Sequence, residues 1–367
     1  MPSLYIHIPF CKSKCLFCSF VIAVGKENRI NSYLESLSQE AGHYRGTILK
    51  TLYIGGGTPS HMNIEQIKLL GRILRKNFKF NDETEFNFEC NPEGLSLDKA
   101  KALKAIGINR ASLGVQSLNE KYLKFLGRNH NRKEALDAFL NLRKAGFLNI
   151  NLDLMFCFPD QTLRELKEDV DGIASLGSEH LSLYNLTIEE GSRFYRLNLK
   201  IHKDETQAKH YLKVIELLEQ NGFEQYEISN FAKPGKEALH NHVYWQGRDY
   251  IGLGVGAHSH IQGERFWNVS DFNEYLVQTK SGKLPIAGKE RLDIHGRLIE
   301  TFLFGLRMKE GVDISSLEDR FDCPLSPEVK EKIGQFVQQK LLTREENRLK
   351  TTLLGRLVLD ELCARLI

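Results

Sequence analysis

The sequence predicts an α/β chain built on a parallel sheet of about six strands, followed by a mostly helical C-terminal module. Three observations carry this. β-Type apolar runs alternate with amphipathic helical stretches through the first half, the rhythm changes near Lys203, and the last segment reads as helices around one short hairpin. Strand patterns fall at residues 4–8, 51–54, 85–89, 110–113, 149–154 and 181–185. Helical patterns lie between them, at 29–43, 64–75, 97–105, 132–145 and 163–176. Strands separated by helices pair in parallel through right-handed crossovers. Pattern alone leaves an open sheet and a barrel both standing. In either, loops at the carboxyl ends of the strands build the site.

Beyond the sixth strand, a helix near 205–221 precedes a polar, aromatic segment at 225–250. The Gly-rich stretch Gly252-Leu253-Gly254-Val255-Gly256-Ala257-His258-Ser259 follows. A polar linker at 280–289, with Ser281-Gly282 and Pro285, marks a boundary. The tail then reads helix, helix, helix, a hairpin near 345–350 and a last helix, a winged-helix-like order. The expected division is 1–200 for the α/β core, 201–285 for an extension and 286–367 for the helical domain.

The 367 residues are 41% hydrophobic and 26% charged, which excludes a mainly disordered chain. Lys plus Arg is 50 against 47 for Asp plus Glu, a net of +3. So small an excess disfavours a phosphate-tracking surface, and no nucleic-acid partner is expected. No run approaches the ~18 apolar residues of a membrane helix. The N-terminus lacks a basic segment followed by an apolar core, so a cytoplasmic location is expected.

A reducing compartment makes the seven cysteines candidates for metal or redox chemistry rather than disulfides. Cys11, Cys15 and Cys18 form Cys-x3-Cys-x2-Cys directly after the first strand. Thiolates suit iron–sulfur clusters, and such spacing lets one loop wrap one cluster. Three cysteines serve three irons of a 4Fe-4S cube and leave the fourth open. Structural zinc, the alternative, wants four ligands and usually a second Cys-x2-Cys knuckle; that knuckle is missing, although His7 could complete the set. Gly55-Gly56-Gly57-Thr58-Pro59-Ser60 follows the second strand, and glycines lacking Cβ atoms let backbone approach a ligand closely. Polar residues recur at successive strand ends: Glu89, Gln116, Arg128 and Asp153. Cys90 and Cys157 read as small apolar residues.

The cysteine spacing resembles the signature of the radical S-adenosylmethionine (SAM) superfamily. The string His7-Ile8-Pro9-Phe10-Cys11 is similar to its oxygen-independent coproporphyrinogen III oxidase-like family. The resemblance implies an incomplete (β/α)6 TIM-barrel-like core. It also implies a 4Fe-4S cluster on Cys11, Cys15 and Cys18, with SAM on the open iron cleaved to a 5′-deoxyadenosyl radical. Tyr5, Gly56, Gly57, Thr58 and Glu89 match contacts to that SAM, and Phe17 lies near its adenine. Gln116, Arg128 and Asp153 match contacts to a second SAM. His258 occupies a SAM-contact position that holds an apolar residue in the oxidase, which leaves its role open.

Two departures argue against decarboxylase activity. The chain starts only a few residues before Tyr5, and no fourth cysteine follows Cys18, where Ser19 and Phe20 stand. His240-Asn241-His242-Val243-Tyr244-Trp245 instead matches the His-Asn-x-x-Tyr-Trp motif of a haem-chaperone branch of the family. An imidazole is a good axial ligand for haem iron, and Tyr and Trp pack on porphyrin faces. The resemblance makes His240 the expected haem ligand, with His242 the runner-up. It implies haem as cargo, a haem-acceptor protein such as a respiratory enzyme, and an electron donor of flavodoxin or ferredoxin type. The acceptor's identity, covalent or non-covalent haem attachment, productive SAM cleavage and homodimerisation stay open.

Overall fold

The structure, a computed structural model, describes residues 1–366. Strands β1 (Ser3–Ile8), β2 (Thr51–Gly56), β3 (Glu85–Cys90), β4 (Arg110–Gln116), β5 (Ile150–Phe156) and β6 (His180–Asn185) lie side by side in chain order, every pair parallel. Along each, alternate residues face opposite sides. Leu4, Ile6, Ile8, Leu52, Ile54, Phe86, Phe88, Leu113, Leu152 and Leu183 form the core under the helices. The intervening residues turn inward and are largely polar: Tyr5, His7, Tyr53, Asn87, Glu89, Ser112, Asp153 and Ser182.

The connecting helices are α1 (Ile30–Gly42), α2 (Ile64–Asn77), α3 (Leu97–Ala105), α4 (Glu120–Leu126), α5 (Arg132–Lys144) and α6 (Leu163–Ala174). Three start with a reciprocal capping box: Asn63 with Gln66, Asn131 with Glu134, and Thr162 with Glu165. Each box satisfies backbone donors that the first helical turn leaves free.

The sheet runs past the six strands at both edges. β7 (Glu224–Gln225) and β8 (Asn230–Ala232) extend the β6 side antiparallel. On the other side β9 (Tyr250–Leu253) pairs parallel with β1 and leads into the antiparallel β10 (His258–Ile261), β11 (Glu264–Asn268) and β12 (Ile286–Arg291). The twelve-stranded order has two free ends, so the barrel is incomplete. The expected linker at 280–289 thus runs into an edge strand, β12, which the sequence pattern hid because its residues are nearly all exposed. Helices α7 (Asp204–Gln220), α8 (Leu239–Trp245) and α9 (Phe272–Lys280) belong to the extension.

A second core gathers Leu298, Phe302, Phe336, Leu349 and Leu362. It lies among α10 (Ile294–Gly305), α11 (Ile314–Phe321), α12 (Pro327–Gln338), a small sheet of β13 (Val312–Asp313), β14 (Leu342–Glu345) and β15 (Arg348–Thr351), and two last helices, α13 (Leu353–Leu357) and α14 (Leu359–Leu366). Arg320 fastens this mostly helical domain to the end of α8, donating to the carbonyls of Gln246 and Gly247 at 2.7 and 2.6 Å. Among the described residues, no helix is long and apolar enough to cross a membrane.

Candidate functional site

A cavity of about 690 Å³ opens at the carboxyl ends of the parallel strands. The chain that carries the three cysteines leaves β1 and crosses this mouth. It is braced at its base by parallel pairing of Phe10–Cys11 with Ala23–Val24. Farther out, Leu16 donates to the Leu126 carbonyl at 3.0 Å and accepts from the Phe194 amide at 2.9 Å. Cys11, Cys15 and Cys18 all line the cavity, with Phe17 and the exposed Phe20 between and beyond them.

The glycine run is shaped by what presses on it. A Cβ on Gly57 would meet the Pro9 carbonyl oxygen at 2.6 Å and Cys11 Sγ at 2.9 Å. Gly56, at φ +115°, lies so close to the His7 ring that a Cβ would meet it at 2.8 Å. The Gly57 and Thr58 amides donate to the carbonyls of Ile8 and Phe10, both at 2.9 Å, and Thr58 Oγ1 lies 3.4 Å from Cys11 Sγ. The run therefore locks the cysteine loop to β2 while Gly56, Gly57 and Thr58 also face the cavity.

Polar groups from successive strand ends complete the wall. Glu89 accepts from Tyr53 Oη at 2.7 Å and from the Gly56 amide at 3.1 Å. Burial, with Asp153 nearby, raises its carboxyl to about 7. Burial likewise raises Asp153 to about 6, against hydrogen bonds from Asn151 and Ser112 that hold it down. Both acids are thus poised to ionise when a cation arrives. Gln116 sits at a β-bulge with φ +69° and lines the cavity. Arg128 donates through Nη2 to Asn91 Oδ1 (2.9 Å) and the Gly114 carbonyl (2.8 Å), and its Nη1 lies 3.5 Å from Cys15 Sγ. Its buried Nε has no partner.

Among the described residues, no three His, Cys, Asp or Glu side chains are converged as a ready-made metal group. The donor set still fits an iron–sulfur cluster: three thiols on one loop, at one cavity, beside a fixed guanidinium with an unspent N–H donor. Burial pushes the Cys11 thiol up to about 11 and raises Cys18, so metal uptake there displaces protons.

Three sequence-predicted residues lie away from the cavity lining. Tyr5 is inside the barrel, its hydroxyl on His7 Nδ1 at 3.0 Å and its ring 6.0 Å from Tyr53. His258 is exposed on β10 and stacks on Trp267. His240 is 1% exposed, at the amino-terminal end of the barrel. There α8 docks by its first amides: Leu239 and His240 donate to the two oxygens of Glu85, at 2.9 and 2.8 Å. Both ring nitrogens of His240 are engaged, Nδ1 with Thr51 Oγ1 at 2.7 Å and Nε2 with Tyr244 Oη at 2.9 Å. His242 is less buried, stacks on Tyr226 and pairs with Glu237.

Cavity residues that the sequence did not single out include Tyr53, Asn91, Lys99 and Tyr184. Tyr53 and Tyr184 were legible as inward positions of their strands. Asn91 directly follows the Glu89 strand. Lys99 opens from α3 and donates to the Ser60 carbonyl at 2.8 Å, a contact no local pattern announces.

An incomplete parallel barrel with a three-cysteine loop across its carboxyl mouth defines the radical SAM class. Residues 5–173 match the model of the radical SAM superfamily, and residues 295–358 match the HemN C-terminal domain. The chain is 35% identical to the "Heme chaperone HemW" of Bacillus subtilis over 370 residues, spanning 98% of each. It is 34% identical to the protein of the same name from Lactococcus lactis, over 95% of this chain and 93% of that one. The solved coproporphyrinogen III oxidase (HemN) of Escherichia coli superposes with a TM-score of 0.89 at 26% identity, covering 100% of this chain and 90% of that one. The chain belongs to the radical SAM superfamily, in the branch that holds HemW and HemN.

Proposed function

We propose that this chain is a haem chaperone of the radical SAM type, taking up haem and passing it to an acceptor protein while its cavity holds a 4Fe-4S cluster and SAM. The observation that carries the reading is the end-to-end similarity to relatives named for haem chaperoning. When bound, the cluster supplies one electron to the sulfonium of SAM. The chain supplies the rest. Cys11, Cys15 and Cys18 ligate the irons, and Arg128 beside Cys15 offsets their charge. Glu89 receives the ammonium of SAM, Gly56, Gly57 and Thr58 hold its methionyl part, and Phe17 covers the adenine. Gln116, Arg128 and Asp153 take a second polar ligand of SAM type. Tyr5, matched to a SAM contact, and His258, whose role stays open, lie outside the cavity lining.

Haem is held through the segment around α8. His240 is the proposed iron ligand and His242 the alternative. For His240 to reach iron, its ring must leave Tyr244 or Thr51. The acceptor is a haem-requiring protein such as a respiratory enzyme, and reduction of the cluster calls for a flavodoxin- or ferredoxin-type donor.

Purified chain titrated with haem tests this, in parallel with His240→Ala and His242→Ala. Loss of the Soret change in His240→Ala is expected. An unchanged spectrum and affinity in both variants removes the assigned ligands, and failure of the parent chain to bind haem removes the function. The likeness to HemN favours a second reading, oxidative decarboxylation of coproporphyrinogen. Anaerobic assay of reconstituted chain with that substrate decides it: carbon dioxide release overturns the chaperone reading.

A further inference from the structure

A row of aromatic rings in tilted and edge-to-face contact runs from the cavity wall to the opposite end of the barrel. Tyr53 lines the cavity. Its ring centroid lies 5.1 Å from His240, His240 lies 5.2 Å from Tyr244, Tyr244 lies 4.9 Å from Tyr250, and Tyr250 lies 6.2 Å from His260. Tyr250 and His260 are half-buried on the extension sheet, so the row reaches the surface. Four ring-to-ring steps of 4.9–6.2 Å thus cross a barrel interior that also holds Tyr5, His7, Asn87, Ser112 and Ser182.

The hydrogen bonds add chemical sense to the row. Thr51 Oγ1 donates to Ser3 Oγ at 2.7 Å, which uses its one proton. His240 Nδ1–H must then donate to Thr51 Oγ1, and Nε2 of the neutral ring accepts from the Tyr244 hydroxyl. At the cavity end, Tyr53 donates to Glu89. On a side branch, His7 Nε2 lies 2.8 Å from the Val21 carbonyl, which only accepts, so His7 Nδ1 accepts from Tyr5. Each of these buried phenols thus has its own proton acceptor in place. A phenol loses an electron readily only when its proton has somewhere to go.

We propose that Tyr53, His240, Tyr244 and Tyr250 form a relay that carries a one-electron oxidising equivalent out of the cavity to the surface beside α8. A carbon-centred radical in the cavity takes the hydrogen atom of Tyr53, forming a C–H bond and a Tyr53 phenoxyl. An electron then passes from Tyr244 to Tyr53 across the intervening His240 ring, which is a bridge and is not itself oxidised. The Tyr244 proton moves to His240 Nε2, and Tyr53 recovers a proton from the cavity water. Tyr250 next reduces Tyr244, which takes its proton back from His240, while the Tyr250 proton leaves to solvent. A thiol at the surface restores Tyr250 by giving one electron and one proton and becomes a thiyl radical. The net change is a quenched carbon radical and an oxidised thiol, a discharge route for a radical that finds no substrate. The relay rests on the radical SAM reading, and haem ligation through His240 Nε2 would interrupt it.

The test uses full-length chain reconstituted anaerobically with iron and sulfide, given SAM, and photoreduced with a deazaflavin in the presence of a nitroso spin trap. Adducts are located by mass spectrometry. Trapping at Tyr250 or Tyr244 is expected, falling to background at Tyr250 in Tyr53→Phe and in Tyr244→Phe. Tyr211→Phe, which removes a part-buried phenol off the row that donates to the Ile228 carbonyl at 3.0 Å, is expected to leave Tyr250 labelling intact. Tyr195, 53% exposed and outside the row, reports untargeted labelling. No adduct, an adduct confined to Tyr195, or Tyr250 labelling that survives both on-row substitutions overturns the relay. The cluster's own absorption separates these results from failure of the radical SAM reading: chain that forms no cluster overturns both.

Discussion

Replacing Gly57 with alanine tests whether the glycine run exists to seat the cysteine loop. The backbone there is not in the left-handed region, so alanine costs nothing in φ, and the effect is purely one of space. Its Cβ would come within 2.6 Å of the Pro9 carbonyl oxygen, 2.8 Å of the Pro9 carbonyl carbon and 2.9 Å of Cys11 Sγ. Two of those atoms are backbone and the third belongs to a proposed cluster ligand, so the loop itself must move. Overpacking of this kind costs about 1–3 kcal/mol, since neither side can give freely. Applied to the seated against the displaced loop, that is about a 5- to 150-fold shift. The assay is iron and sulfide per chain after anaerobic reconstitution, with circular dichroism to confirm the fold. Gly94→Ala is the control: it lines the same cavity at φ +73°, with no atom within 4 Å of the added Cβ. It costs about 1–2 kcal/mol of backbone strain but leaves the cysteine loop untouched. Full cluster content in Gly57→Ala, or equal loss in Gly94→Ala, refutes the reasoning.

Further expectations concern pH, the second core and a helix interior. Burial raises Glu40 and Glu89 to about 7 and Asp153 to about 6. Between their ordinary range near pH ~4 and these values the folded chain holds protons the unfolded chain has released, so their contribution to stability falls as pH rises through that window, opposing the buried His130 and His240, whose lowered pKa values add stability over the same range. Thermal unfolding of metal-free Glu40→Gln against the parent across pH 4 to 8 isolates the sign: the parent is expected to lose stability relative to the variant as pH rises, and a parent that gains relative to it contradicts the expectation. Phe302→Ala, at a position with no exposure in the C-terminal core, should cost about 3–5 kcal/mol in denaturant unfolding. A loss under about 1 kcal/mol would mean the helical domain's core does not depend on that ring. Gly334→Ala inside α12, where the added Cβ meets nothing, should stabilise by about 1 kcal/mol, read as a shift in the same transition.

Strand and helix periodicity made much of the fold legible. The run at 149–154 became β5 and that at 64–75 became α2, each off by a residue or two. What escaped were elements whose identity depends on a distant partner. Tyr250–Leu253 is too short and glycine-bearing to declare itself, and becomes a strand only because β1 offers a free edge beside it. The helix of the His240 motif is likewise set by Glu85, far away in sequence, capturing its first amides.

The site divides the same way. Residues at strand ends meet at the cavity because the topology places every carboxyl end on one face. The motif around His240 foretells its Tyr244 partner, but Thr51 on β2 and, for His258, Trp267 on β11 come from elsewhere in the fold. The aromatic row was invisible for that reason: no two of Tyr53, His240 and Tyr250 share a local pattern, and only the folded sheet aligns them.

The proposed function turns on a 4Fe-4S cluster held by Cys11, Cys15 and Cys18 with one iron open to SAM. Electron paramagnetic resonance of anaerobically reconstituted, reduced chain, recorded with and without SAM, tests it most directly. A cluster signal whose g values move on SAM addition, and which vanishes when any one of the three cysteines is replaced by alanine, is predicted. A chain that binds only zinc, or whose cluster signal is indifferent to SAM, contradicts the account.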